Sequence, residues 1–205
     1  WRDIKSAIIE LNLTPGMRPH LGADNPINVA DNIVSYLFEK SETGRIPTVG
    51  ITGSVGKTTT LNLIKCALLH EGKSVGACTT QGLWLDDHLV TEGDASGGRF
   101  ALQLLRDPSI EIGLFEYARG GLLKSGIAPS PIDIGVMLNV KPIHLGIEGI
   151  KSLEDLARIK SLVVKNAEKL VVLNSDDQLC LDQLKYCKAK NIGLFSLQGR
   201  TNIIN

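Results

Sequence analysis

From Ile46 onward the chain alternates short apolar runs with helix-length segments, the runs being IPTVGIT, SVGACTT, IEIGLFEY, IDIGVMLN, KLVVLNS and NIGLFSL. Each run is apolar on successive residues, whereas a strand with one wet face would alternate. The pattern therefore predicts strands covered on both faces, the condition of a parallel sheet. The stretches between them, at about Lys57 to Glu71, Gly97 to Arg106, Ser152 to Ala167 and Asp177 to Ala189, read as crossover helices. Together they predict a doubly wound, mostly parallel α/β sheet. Between the second and third runs, GLWLDDHLVTEGD sets an Asp-Asp turn among apolar residues and predicts a small β-hairpin inserted in the wrap.

Ahead of Ile46 the periodicity is helical. Trp1, Ile4, Ile8 and Leu11 share one spacing, and Ile27, Ala30, Ile33, Val34, Leu37 and Phe38 form one apolar face of a helix over Asn25 to Phe38. Asn25 is suited to cap that helix and Pro26 to its first turn. The link TPGMRPHLGADNP is loop-like. The expected organisation is an N-terminal helical extension over 1–45 and one α/β domain over 46–205, which a chain of 205 residues with 43% hydrophobic content can build.

Charge narrows the ligand. Lys+Arg and Asp+Glu balance at 22 each, so the chain as a whole has no electrostatic footprint for nucleic acid or an anionic membrane, and a local, small ligand is expected. The four cysteines form no C-x-x-C pair and are expected to be reduced, buried thiols, not a zinc site. No apolar run reaches spanning length and no signal peptide is visible, which gives a cytoplasmic expectation; Trp1 leaves a preceding segment open.

In an open α/β sheet the ligand crevice lies beyond the carboxyl ends of the strands. The runs end in Thr52 and a glycine loop, in Thr79 and Thr80, in Glu116, in Asn139 with His144 shortly after, and in Asn174 followed by Asp176 and Asp177. These polar groups are expected to collect on one edge. In the loop GSVGKTT, Gly53, Ser54, Val55, Gly56, Lys57, Thr58 and Thr59 lie between a strand and a helix, the setting of a phosphate cradle. Lys57 would reach the β- and γ-phosphates of a nucleotide and the Thr58 hydroxyl would take a Mg²⁺ position. The spacing departs from the ordinary phosphate loop, whose first glycine position is held here by Ile51. Glu116, closing an otherwise apolar strand, is the candidate second oxygen donor for Mg²⁺, and His144 is a candidate for a metal or phosphate role.

Lys160 breaks a pattern. The helix opened by Ser152 and Asp155, which resemble a capping box, carries an apolar stripe of Leu153, Leu156, Ala157, Val163, Val164 and Ala167, and Lys160 falls on it. A lysine there must reach out to solvent, find a partner, or be chemically altered.

These motifs resemble the Mur ligase family. ITGSVGKTTT is similar to its loop of Gly, two residues, then Gly-Lys-Thr; VMLNV…HLG resembles the segment after the fourth strand, LEDLARIK the lysine-bearing helix, and VVLNSDD the Asn-x-Asp-Asp strand end. Within the family, TTQGLWLDDHLVTEGDASGGRFA and FEYARGGLLKSG resemble the Mur-ligase-like half of cyanophycin synthetases. The resemblance implies an ATP-dependent carboxylate–amine ligase in which ATP phosphorylates a carboxylate and an amine displaces phosphate. By that resemblance Lys57 would act on the phosphates, Thr58 and Glu116 would hold the first Mg²⁺, and His144 and Lys160 would serve a second metal position, Lys160 as a carbamate. Asn139 and Asn174 would shape the nucleotide edge. The cyanophycin branch implies addition of arginine to polyaspartate side chains.

Three positions depart from the family pattern: Val55 stands for an Asn, Leu138 for a Thr and Ile143 for an Asp. Family members also continue into a further domain, so the expected partners are ATP, a carboxylate and amine pair and the remaining ligase domains, with self-association left open. The fragment alone is expected to be inactive. The alternative kept beside the ligase is a degenerate Mur-like nucleotide-binding module with a regulatory or scaffolding role.

Overall fold

The structure is a computed structural model that describes residues 28–38, 44–143, 146 and 149–199. The chain divides into two compact units, residues 1–45 and 46–205. In the first, α1 (Val29–Leu37) is capped by Asn28, whose side chain accepts from the Asp31 amide at 3.1 Å. The cap expected at Asn25, with Pro26, and the segment Trp1 to Leu13 lie outside the described residues.

The second unit runs β1 (Thr48–Thr52), α2 (Lys57–His70), β2 (Val75–Cys78), β3 (Gly82–Leu85), β4 (His88–Glu92), α3 (Gly98–Leu104) and β5 (Ile112–Tyr117). It continues with α4 (Arg119–Ser125), β6 (Ile132–Met137), α5 (Leu153–Asn166), β7 (Ala167–Asn174), α6 (Gln178–Leu181) with a 3-10 turn over Asp182–Tyr186, and β8 (Asn191–Phe195). The eight strands form one sheet in the order β4-β3-β2-β5-β1-β6-β7-β8. The six from β2 to β8 in that order pair in parallel. After β1 the chain lays β2 and β5 on one side and then β6, β7 and β8 on the other, so the order reverses at β1. That reversal opens a crevice at the carboxyl end of β1.

The doubly wound α/β fold is as the apolar runs predict, because both faces are covered. On one face α2 packs Leu61, Ile64 and Leu68 over Val49, Ile51, Leu114 and Val136. On the other, Ala101 and Leu104 of α3, Leu122 of α4, and Leu156, Ala157, Val163 and Val164 of α5 close over Phe115, Tyr117, Ile132 and Met137. Gly135 of β6 lets α5 come close: a Cβ there would lie 2.8 Å from the Val163 carbonyl oxygen. Burying one Leu or Val of this kind contributes about 1.5–3 kcal/mol.

Four local expectations change. The hairpin β3–β4 forms at the Asp-Asp turn, with Asp86 at φ 52, but it extends the main sheet as its antiparallel edge. Lys65 of α2 holds it there, donating to the Asp86 carbonyl at 2.9 Å and lying 4.6 Å from the Trp84 ring. The helix read over Asp177 to Ala189 is a single capped turn that tightens to a 3-10 turn, because its buried Cys180 and Gln183 recur at three residues. Helix α4 has no counterpart in the sequence reading: it is seven residues, RGGLLKS, too short for a period to show. All four cysteines are free, as expected, yet only Cys78 and Cys180 are buried: Cys187 is half-buried and Cys66 is exposed, since α2 turns Lys65 inward instead. No helix among the described residues is long and apolar enough to cross a membrane.

Candidate nucleotide site

The loop from β1 into α2 passes through Gly53, Ser54 and Val55 to Gly56, which caps α2 at φ +85, a left-handed conformation that favours glycine. Beyond it the first-turn amides of α2, from Lys57 to Thr59, have no intrahelical acceptor and carry the positive end of the helix. The front half of the loop is committed elsewhere. The Ser54 amide donates to the backbone and side-chain oxygens of Asn139, both at 3.0 Å, and the Val55 amide donates to Asn139 Oδ1 at 3.0 Å. Asn139 Nδ2 returns a bond to the Val55 carbonyl at 3.0 Å. The Ser54 hydroxyl donates to the Lys141 carbonyl and accepts from the Lys141 amide. Asn139 thus braces the loop, and the cradle open to an anion starts at Gly56.

Glu116 is 1% exposed at the end of β5, beside β1 in the sheet. Its Oε2 accepts from the Thr58 hydroxyl at 2.7 Å and the Thr80 amide at 3.3 Å, and Lys57 Nζ lies 3.8 Å from Oε1. The Thr80 hydroxyl is 3.4 Å from both Thr58 Oγ1 and Glu116 Oε1. A buried carboxylate and two hydroxyls, all hard oxygen donors, fit a Mg²⁺ ion completed by phosphate and water. Thr80 closes the second apolar run; its place at the strand end was legible, its contact with Glu116 was not.

Lys160 is 2% exposed and donates from Nζ to the Gly53 carbonyl at 2.8 Å. Burial lowers its pKa to about 7, with the charges of Lys57 and Arg119 acting in the same direction. Of the outcomes open to a lysine on an apolar stripe, it has found a partner. Asn174 stands one strand further out and donates to the Leu138 carbonyl at 3.0 Å, so it bears on the loop only through the end of β6. Asp177 accepts from the Val140 amide at 2.8 Å and caps α6. Thr59 is exposed in the first turn of α2. His144 lies outside the described residues.

A cleft of about 240 Å³ opens over the loop, walled by Ser54, Lys57, Thr80, Arg119, Ile143 and Lys160. Arg119 was missed in the sequence; the one signal available is its place three residues after Glu116. Lys57 and Arg119 on its wall give the cleft a basic lining of the kind that suits an anion.

A phosphate-type loop at the switch point of a parallel sheet, with a buried acid on the neighbouring strand, defines a nucleotide-binding α/β domain. The chain belongs to the Mur ligase family: the model of the Mur ligase middle domain matches residues 51–204. It is 39% identical to a cyanophycin synthetase of Geminocystis herdmanii over 98% of its length, and 37% identical to that of Nostoc over 99%. The chain spans about a quarter of the length of these relatives. Among solved structures it resembles a MurF ligase from Thermotoga maritima in complex with ADP, at 29% identity and TM-score 0.52 over 75% of this chain and 33% of that one. A UDP-N-acetylmuramoyl-L-alanyl-D-glutamate–2,6-diaminopimelate ligase shares the fold, at TM-score 0.64 and 24% identity, covering 76% of this chain and 33% of that one.

Proposed function

We propose that this chain is the ATP-binding core of an ATP-dependent carboxylate–amine ligase that works through an acyl-phosphate, adding an amino acid such as arginine to acidic side chains. The observation that carries this reading is the buried Glu116 bonded to Thr58 of the loop, with Lys57 beside it. Bound ATP with Mg²⁺ supplies the phosphoryl group that activates the carboxylate.

The residues then have distinct tasks. Lys57 and the first-turn amides of α2 provide fixed positive charge where phosphate charge develops, without reorganisation at the moment of reaction. Thr58 and Glu116 would hold the metal. Glu116 is already fixed by its hydrogen bonds, so the donor geometry is set before ligand arrives. Asn139 would keep the loop open to phosphate by occupying its front amides. Arg119 offers a fork suited to a carboxylate.

Lys160, its pKa lowered to about 7, carries a substantial neutral fraction at neutral pH, and a neutral amine is the form that adds CO₂. Nζ would bond to carbon, one proton would leave to water, and the remaining N–H would still serve the Gly53 carbonyl. The resulting anion and His144 would serve a second metal position, as the family resemblance implies. The remaining domains of the longer ligase would supply the acceptor and amino-acid pockets.

Ile143 favours a second reading. It puts an apolar side chain on the cleft wall where the family commonly has an acid, as a nucleotide-binding module with a regulatory or scaffolding role would tolerate. ADP release by the full-length protein, with Mg²⁺-ATP and a panel of amino acids and acidic peptides, separates the two. Stimulation by one pair, lost in Lys57→Ala, supports the ligase; nucleotide binding without stimulated release supports the module.

A further inference from the structure

The amino-terminal edge of the sheet, opposite the nucleotide loop, holds a second and larger cleft of about 530 Å³. It lies where β6, β7 and β8 begin, and Lys165, Lys169, Lys188 and Lys190 line it together with Glu168. Lys169 is engaged with Asp133 at 2.8 Å, and Asp133 is held in turn by the Thr48 amide and hydroxyl. Lys165 lies 4.2 Å from the Tyr186 ring, with Lys185 on the same ring at 5.3 Å. Lys188 and Lys190 are exposed. Asp133 and Glu168 offset part of this charge, yet the four lysines outnumber the two acids, so a chain whose total charge is balanced presents a net positive concave surface here that attracts an anion.

We propose that this cleft is an exosite for an acidic polypeptide, a chain rich in side-chain carboxylates. Three observations favour that occupant. The cations are all lysines, point charges that suit a run of mobile carboxylates and lack the planar fork that selects phosphate bidentately. The nearby aromatic ring, Tyr186, already has two lysine ammonium groups against it, which a stacking base of single-stranded nucleic acid would have to compete with. The spacing suits a polymer: β7 is eight residues long, so the exosite and the nucleotide edge are separated by roughly 25 Å of strand. A chain that occupies both must exceed about eight extended residues, and linkage of the two contacts would strengthen binding beyond either alone. The choice of a polypeptide with acidic side chains rests on the ligase reading above; the lysine cleft itself does not.

The test is direct binding of fluorescein-labelled aspartate oligomers of 3 and 15 residues to the full-length protein, with a labelled single-stranded oligonucleotide and free inorganic phosphate as further arms. The expected result is that the 15-mer binds at least tenfold more tightly than the 3-mer, and that Lys165→Gln/Lys188→Gln/Lys190→Gln weakens it at least fivefold. Lys57→Ala should leave this exosite contribution in place. Equal binding of the 15-mer by the triple variant and the parent overturns the proposal, as does tighter binding of the oligonucleotide, or displacement of the 15-mer by phosphate at low millimolar concentration. ADP release measured in the same preparations keeps the two readings apart: an active ligase whose peptide binding ignores the three lysines removes the exosite alone, and lysine-dependent binding without peptide-stimulated ADP release removes the ligase reading alone.

Discussion

The two edges of one sheet handle charge in opposite ways. At the carboxyl edge Glu116 and Lys160 are almost wholly buried, each fixed by short hydrogen bonds to the loop. At the amino edge Lys169 is mostly exposed and Lys188 and Lys190 project into solvent. A buried charge must be paid for by a specific partner, so it acts at one place and with one geometry. Exposed lysines cost little and remain mobile, which suits attraction of a flexible anion but not chemistry on it.

The comparison breaks first at Glu116. If its burial serves the metal, Glu116→Gln in the full-length protein should lower nucleotide-dependent turnover by roughly 10²–10³-fold, the size of losing one preorganised electrostatic group. A change of less than tenfold in the steady-state rate of ADP release would make Glu116 a structural acid.

Lys160 comes next. Its folded pKa, lowered to about 7 from 10.5, means that between those values the unfolded chain binds one more proton than the folded one. Stability contributed by this group therefore rises with pH across that window, by at most about 1.4 kcal/mol per unit, and is flat below it. Urea unfolding from pH 7 to 10.5, with bicarbonate excluded, should show this rise in the parent and lose it in Lys160→Met.

The smallest effect belongs to the amino edge. Hydrogen bonds from Lys169 and Thr48 outweigh partial burial and hold the Asp133 carboxyl below its ordinary value. That stability is present above the unfolded pKa of 3.8 and is lost as pH falls through the lower folded value. With Lys169 65% exposed, Lys169→Ala should cost no more than about 1 kcal/mol at pH 7, read as a shift in urea midpoint, and the difference from the parent should vanish in acid.

Much of the carboxyl edge was legible because its signals are local. Strands inside a covered sheet are apolar on successive residues, so six runs announced six parallel strands, although β8, at the sheet's edge, is only partly covered. A phosphate loop needs small residues between strand and helix, so Gly53 to Thr59 were readable in place. Lys160 could be picked out since a period of 3.6 residues makes one cation on an apolar stripe conspicuous. Arg119 stayed hidden because a seven-residue helix has too few turns to show a period, and the lysine cleft because its members come from separate segments at 165–169 and 188–190.

Sequence by itself determined the strands, the longer helices α2 and α5, the loop and the polar residues that end each strand, all consequences of backbone geometry and burial within a few residues. Only the tertiary structure decided their partners. The strand order sets β5 and β6 on either side of β1, and so brings Glu116 to Thr58 across 58 residues of sequence and Asn139 to Ser54 across 85. The close approach of α5 over Gly135 carries Lys160 to the Gly53 carbonyl across 107. Hydrogen bonds of that range depend on which strands are neighbours, a property of the packed sheet that no local pattern encodes.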